Sequence, residues 1–282
     1  MAIKTEIEWC DSTLNLQMGC DGCELWNPKA GVKRCYAGRL TERWGGKKGW
    51  PVTFEQPAVF PERLQEALRW PDLTGTDRPD KPWLNGYPRV IFLNDMGDTF
   101  TASLPLMWLT EFLPGMIDSP HVYIILTKRP ARMVEFWRRY TWIPNNFWLL
   151  TSVTGPENIG RIENIWRIRE LLRLRALGAR VLGVSYEPAW GPVDFRPWLP
   201  VAGSPLAQGG VEWPYLSWLI AGGESGAGAK PSHPDWFRAA RDACQTAGTA
   251  FFMKQITDRG RKLPFGQWPG DLQVREMPRA QR

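Results

Sequence analysis

Six times along this chain a short apolar run ends in a polar or glycine-bearing turn, and helical patterning fills the spaces between. The runs are Arg89–Leu93, Val122–Leu126, Phe147–Thr151, Arg180–Val184, Leu216–Ala221 and Ala250–Met253. Helices are expected over Pro61–Trp70, Leu106–Asp118, Pro130–Tyr140, Asn158–Leu177 and Pro234–Thr246, where apolar residues recur at three- and four-residue spacing. Strands alternating with helices predict parallel βαβ units, and continuous apolar runs suit strands covered on both faces. A first strand is expected at Ile7–Trp9 or Leu14–Gln17. The count predicts an α/β fold, a full or partial (β/α) barrel, with a doubly wound open sheet as the alternative. Both folds build their sites just beyond the C-terminal ends of the strands.

A chain of 282 residues with 43% apolar content can bury one large core or two small ones. The reading is one barrel domain over 1–260, followed by a basic, proline-rich tail over 261–282 that lies on the surface or moves freely. Gly203–Gly210 reads as a surface loop. Tryptophan and proline often adjoin, as at Trp50-Pro51 and Trp268-Pro269, which suggests rigid connections. No apolar run reaches the length of a membrane span and the first residues lack a secretory apolar core, so a cytoplasmic protein with no membrane partner is expected.

In a reducing compartment clustered cysteines read as metal ligands or redox groups. Three cysteines stand close together, spaced Cys20-x2-Cys23-x11-Cys35, inside a loop expected over 19–38. Three thiolates are the right number to hold three irons of a 4Fe–4S cluster and leave the fourth open to an exogenous ligand. A zinc site completed by a fourth ligand is a second reading, with His121, His233 or Cys10 as the residues that would have to approach. Three unrelated thiols are a third. Gly19, Gly22 and Gly31 fit a loop folded tightly around a metal, and Trp26, Tyr36, Trp44 and Trp50 either shield it or belong to the core. Cys10 and Cys244 read as small buried residues.

The formal charge of +6 is compatible with an anionic partner without establishing one. Arginines crowd the stretch Asn158–Arg175, where Glu163 and Glu170 pair with some of them; a solvated helix face is the plainer reading and a nucleic-acid surface the sharper one.

Thr5-Glu6-Ile7-Glu8-Trp9, Leu14-Asn15, Gly19-Cys20 and Cys35-Tyr36-Ala37-Gly38 with Glu42-Arg43 together resemble the opening of the phage-protein three-cysteine family of unknown function (DUF5131). Leu126-Thr127-Lys128-Arg129-Pro130, Ser185-Tyr186-Glu187-Pro188, Gly222-Gly223-Glu224-Ser225-Gly226 and Phe251-Phe252-Met253-Lys254-Gln255 extend the resemblance from Thr5 to about Gln255. Two departures stand out. Leu14-Asn15-Leu16 replaces the family's tryptophan-asparagine-proline, and the short cysteine gap comes first instead of last.

Through that family the chain is similar to radical S-adenosylmethionine (SAM) enzymes. The resemblance implies a barrel of the radical-SAM type and a 4Fe–4S cluster on Cys20, Cys23 and Cys35. It also implies SAM chelated to the open iron, a radical that abstracts hydrogen from an unknown substrate, and an electron donor protein. Phage association makes nucleic-acid modification or repair one expectation for the substrate. The competing expectation is a non-catalytic, zinc-stabilised nucleic-acid-binding protein.

The cofactor-binding candidates lie at strand ends. Glu224, after Gly222 and Gly223, fits the amino group or ribose hydroxyls of SAM; a tight turn without ligand is the alternative. Asn94, Asp95 and Asp98 fit the SAM amino group or serve as helix caps. Thr127 and Lys128, with Arg129, fit a carboxylate or phosphate, or form a solvated loop. Ser152, Glu187 and Lys254 complete the set, with a buried Glu187–Lys254 ion pair as the structural alternative.

Overall fold

A computed structural model describes residues 1–200, 215–226 and 228–279, side chains at 156–161 aside. The expected loop at Gly203–Gly210 lies outside the described residues. Seven strands form the main sheet: β1 Ser12–Leu14, β2 Val90–Leu93, β3 Val122–Thr127, β4 Phe147–Val153, β5 Val181–Tyr186, β6 Trp218–Gly222 and β7 Ala250–Gln255. Their order in the sheet follows the chain from β1 to β7 without reversal. That is the winding of a partial (β/α) barrel; a doubly wound sheet reverses its order at a switch point. The helices are α1 Tyr36–Trp44, α2 Glu62–Ala67, α3 Leu113–Asp118, α4 Pro130–Tyr140, α5 Pro156–Leu172 and α6 Pro234–Ala247. Among the described residues no helix is long and apolar enough to cross a membrane.

The first strand is neither of the two segments expected. It is Ser12–Leu14, set by parallel register with β2, Ser12 against Ile91 and Leu14 against Leu93. Trp9 instead packs its ring on Phe92, 4.7 Å between centroids. The expected helix at Leu106–Asp118 divides into a 3-10 turn, Trp108–Phe112, and α3. Pro114 sits in the first turn of α3, where its missing N–H costs nothing; one turn later it would break the ladder. The stretch Asn158–Leu177 likewise ends in a 3-10 turn, closed by Gly178 at φ 91°.

Five strands outrun their apolar cores, so that Thr127, Ser152, Ser185, Gly222, Lys254 and Gln255 fall inside strands and not in loops. Parallel pairing is a backbone property, and a polar side chain at the end of a strand does not stop it.

Two compact units divide the chain, Met1–Trp148 and Leu149–Arg282. In the first, β1, β2 and β3 pair in parallel and their side chains are almost wholly buried. In the second, β5, β6 and β7 do the same, with α6 covering them through buried Phe237, Ala240 and Cys244. Residues after Gly260 also belong to this unit's core. Met253 N–H donates to Val274 O (2.8 Å), Glu276 N–H donates to Phe251 O (2.9 Å), and Trp268 and Leu272 are buried.

Candidate functional site

The long gap between Cys23 and Cys35 is a β-hairpin. Trp26–Asn27 pairs antiparallel with Val32–Lys33 across a turn in which the Asn27 side chain accepts the Ala30 N–H. Leu25 O accepts both the Arg34 and Cys35 amides, at 2.8 and 2.9 Å, which returns Cys35 to within two residues of Cys23. Gly22 makes the turn at φ 101°, and a Cβ there would stand 2.6 Å from Trp26 O. Cys35 then occupies the N-cap of α1. Gly38, on the buried face of α1, lies under the Trp26 ring, where a Cβ would come within 2.4 Å. Trp26 shares one apolar cluster with Cys20 and Cys35, along with Met18, Phe54 and Met96.

All three thiols are shifted upward by burial. Cys20 is pushed up to about 12, burial leading, with Asp98 and Cys23 adding and Arg129 opposing. Burial raises Cys23 as well, against the pull of Lys128, while Cys35 adds to the rise. At Cys35 burial is opposed by the amide of Gly38 at the start of α1 and by Lys128. Cys20 thus senses Cys23, Cys23 senses Cys35, and Lys128 acts on both Cys23 and Cys35. Among the described residues no three His, Cys, Asp or Glu side chains are disposed to hold a metal ion.

The loop is fastened to the strand ends by one guanidinium. Arg129, just past β3, donates from Nη1 to Asp98 Oδ2 (2.9 Å) and from Nη2 to Asp21 Oδ1 and to Gly22 O (2.6 Å). Asp98 is saturated. It also accepts Thr127 Oγ1 (2.6 Å), Phe100 N–H (2.9 Å) and Lys128 N–H (3.1 Å). Asp21 further accepts from Thr101 Oγ1 (2.7 Å) and Ala102 N–H (3.1 Å).

Asn94 and Asp95 are not helix caps. Asn94 holds φ 60°, a conformation Asn tolerates better than most residues. Its side chain accepts Gln17 N–H (2.9 Å) and donates to Thr99 Oγ1 (3.0 Å). Asp95 is half-buried; burial raises its carboxyl, against the Asn15 amide that donates to it at 2.7 Å. The Tyr36 hydroxyl donates to Asp95 O, tying α1 to the end of β2.

In the second unit one pair of candidates bonds to each other and the rest bond to neighbouring residues of the same unit. Lys254 Nζ lies 2.5 Å from Glu187 Oε1, both largely buried, so the structural alternative for this pair is what the geometry contains. Glu224 is buried and accepts Trp190 Nε1 (3.2 Å) and Lys230 N–H (2.8 Å). A Cβ at Gly223 would stand 2.5 Å from Thr257 Oγ1, and Gly222 O accepts the Ala189 N–H, so these glycines serve close packing of the turn. Ser152 is buried in β4, its carbonyl accepting Arg167 Nη1 at 3.2 Å.

Asp21 and Thr101 are the residues sequence reasoning passed over as site components, and Arg129, expected to meet a ligand carboxylate or phosphate, meets the carboxylates of Asp21 and Asp98 instead. Asp21 reads as a spacer between two cysteines, and only the long-range pairing with Arg129 shows its role. Cys10 is fully buried near Ile7 O, Cys244 is pushed up to about 12 by burial, and His233 caps α6.

A model of the family described as protein of unknown function (DUF5131) matches residues 4–270, and the chain belongs to that family. No curated protein and no solved structure shows a significant match.

Proposed function

We propose that the first unit carries a 4Fe–4S cluster on Cys20, Cys23 and Cys35 and that the chain is a radical-SAM-like enzyme. What supports this is that one turn-and-hairpin segment carries all three cysteines, Cys20 buried and Cys23 and Cys35 half-buried, with Cys35 at the N-cap of α1 and Lys128 and Arg129 alongside. Among the described residues the thiols do not already stand as a ligand set, and metal binding would have to draw them together. The donor set suits the group. Thiolates are the ligands iron–sulfur clusters take, and metal binding displaces the thiol protons that burial otherwise retains. When bound, such a cluster supplies one electron for reductive cleavage of SAM.

The chain's own residues have separable roles. The three cysteines ligate. Arg129 fixes the 20–23 turn against Asp98. The Lys128 ammonium offsets thiolate charge at Cys23 and Cys35. Trp26 closes one wall against water. Asp95, bonded through Oδ1 to Asn15, is the acceptor for the SAM ammonium at the end of β2. SAM incubated with the reconstituted, dithionite-reduced protein should give methionine and 5′-deoxyadenosine. Asp95→Asn should raise the SAM concentration needed while leaving iron content unchanged. Iron-loaded protein that leaves SAM intact would overturn the assignment.

A further inference from the structure

The charge of this chain is concentrated in one place. Residues 29–48 contain seven Lys or Arg and one acidic residue, Glu42, a net +6 that equals the formal charge of the whole chain. The remainder of the chain is therefore balanced, with no net charge of its own. Those twenty residues start inside the cysteine hairpin, pass through Cys35 and α1, and end in the turn after α1.

Part of that charge, Arg39, Arg43, Lys47 and Lys48, is exposed on α1 and the turn after it, while Lys33 pairs with Glu42 and Arg34 is half-buried. Tyr36, Arg39, Leu40 and Arg43 fall at three- and four-residue spacing on α1 and are exposed, while Ala37, Gly38 and Thr41 are buried. Lys47 and Lys48 are exposed in the following turn, and that turn is fixed. Gly46 N–H donates to Pro51 O (3.0 Å) and Arg63 Nη2 donates to Gly49 O (2.6 Å). Aromatic rings interleave with the cations. Trp44 carries Lys47 Nζ 4.2 Å and Arg43 5.2 Å from its ring centroid, and Tyr36 is 44% exposed.

We propose that this face binds the phosphate backbone of a single-stranded nucleic acid, which places the strand beside the cysteine hairpin. Polyanions bind by neutralisation on clustered Lys and Arg, and single strands add stacking on aromatic rings interleaved with those cations. An anionic membrane surface fits less well. A membrane-lying helix needs an apolar stripe to insert opposite its charges, and the small-residue side of α1 is packed under Trp26. The inference stands apart from the cluster, since it uses surface charge and no thiol.

The test is fluorescence anisotropy of a short labelled single-stranded oligonucleotide of mixed sequence, titrated with the full chain at several salt concentrations, with and without reconstituted iron. Binding should occur in both states. With about four phosphate contacts the logarithm of affinity should fall against that of salt with a slope of about −3. The triple variant Arg43→Glu, Lys47→Glu, Lys48→Glu should bind at least about tenfold more weakly, with a slope shallower by about 2. The same three positions changed to Gln should give an intermediate loss, and this serves if charge reversal disturbs folding. Reversal at Arg259 and Arg261 should leave binding as it was. Unchanged affinity in the triple variants, equal loss in the Arg259/Arg261 control, or binding to phosphatidylserine vesicles without binding to the oligonucleotide would each overturn the proposal. Failure to form a cluster on reconstitution, with oligonucleotide binding unchanged, would count against the cluster alone.

Discussion

The strand ends of the two units draw on the same residue types and treat them differently. In the second unit, Glu187 meets Lys254, and Glu224 meets the Trp190 indole and the Lys230 amide. Buried charge there is answered by donors of the same unit, as the cost of desolvation demands. In the first unit two of the carboxylates, Asp21 and Asp98, serve architecture. Asp98 and Asp21 share Arg129, and together they hold the turn that carries Cys20 and Cys23. Polar residues at a strand end are therefore a weak indicator of a ligand site. More telling is a set of half-buried ion-pair bonds that fixes a cysteine-bearing turn against a strand end.

The largest effect that sharpens this contrast concerns the cysteines. Cys20→Ser, Cys23→Ser and Cys35→Ser should each reduce iron from about four per chain to near none after anaerobic reconstitution. Cys10→Ser and Cys244→Ser should leave iron content alone. Equal loss in all five variants would erase the distinction between the three loop thiols and the two that are merely buried.

Next is the bolt itself. Arg129→Gln strands Asp98 and Asp21 together and should destabilise the protein by about 3 kcal/mol in denaturant unfolding. Arg129→Lys keeps the charge but cannot reach both carboxylates and the Gly22 carbonyl, so it should recover only part of the loss. A cost below about 0.5 kcal/mol for Arg129→Gln would show that the network does not hold the loop.

The sequence made the core of this arrangement legible and hid its fastening. Apolar runs located six of the seven strands to within a few residues, because a strand buried on both faces has little freedom in composition. Pro130 and Tyr140 bounded α4 as expected. The three cysteines stood out through spacing alone. The roles of Asn94, Asp98 and Arg129 did not, since each is defined by partners far away in the chain. Asp98 joins Thr127 and Arg129, and Asn94 joins Gln17. The first strand was misplaced because three residues carry too little periodicity to show.

A smaller effect probes the second unit. Lys254→Met alone should cost about 2 kcal/mol by leaving Glu187 without its cation, and Glu187→Gln alone a similar amount. The double variant should regain most of the loss, and the coupling in that cycle measures the pair. Additive costs would mean that each residue serves something other than its partner.

The smallest effect lies on the surface. Asp271 accepts Arg238 Nε (2.8 Å) and Arg241 Nη1 (2.6 Å), and these guanidiniums hold its carboxyl well below the usual carboxylate range. A depressed folded pKa contributes stability that is complete above the unfolded value, near 4, and is lost as pH falls toward the folded one. Asp271→Asn should therefore melt slightly lower than the parent at neutral pH, and the two curves should converge in acid. A gap that widens on acidification would contradict the assignment.

The most direct measurement of the central claim is electron paramagnetic resonance of the anaerobically reconstituted, dithionite-reduced protein, recorded before and after SAM. A reduced 4Fe–4S signal that SAM perturbs, and that is missing from Cys35→Ser, is the predicted result. Stoichiometric zinc in place of iron, or a cluster signal that SAM leaves unchanged, would contradict it.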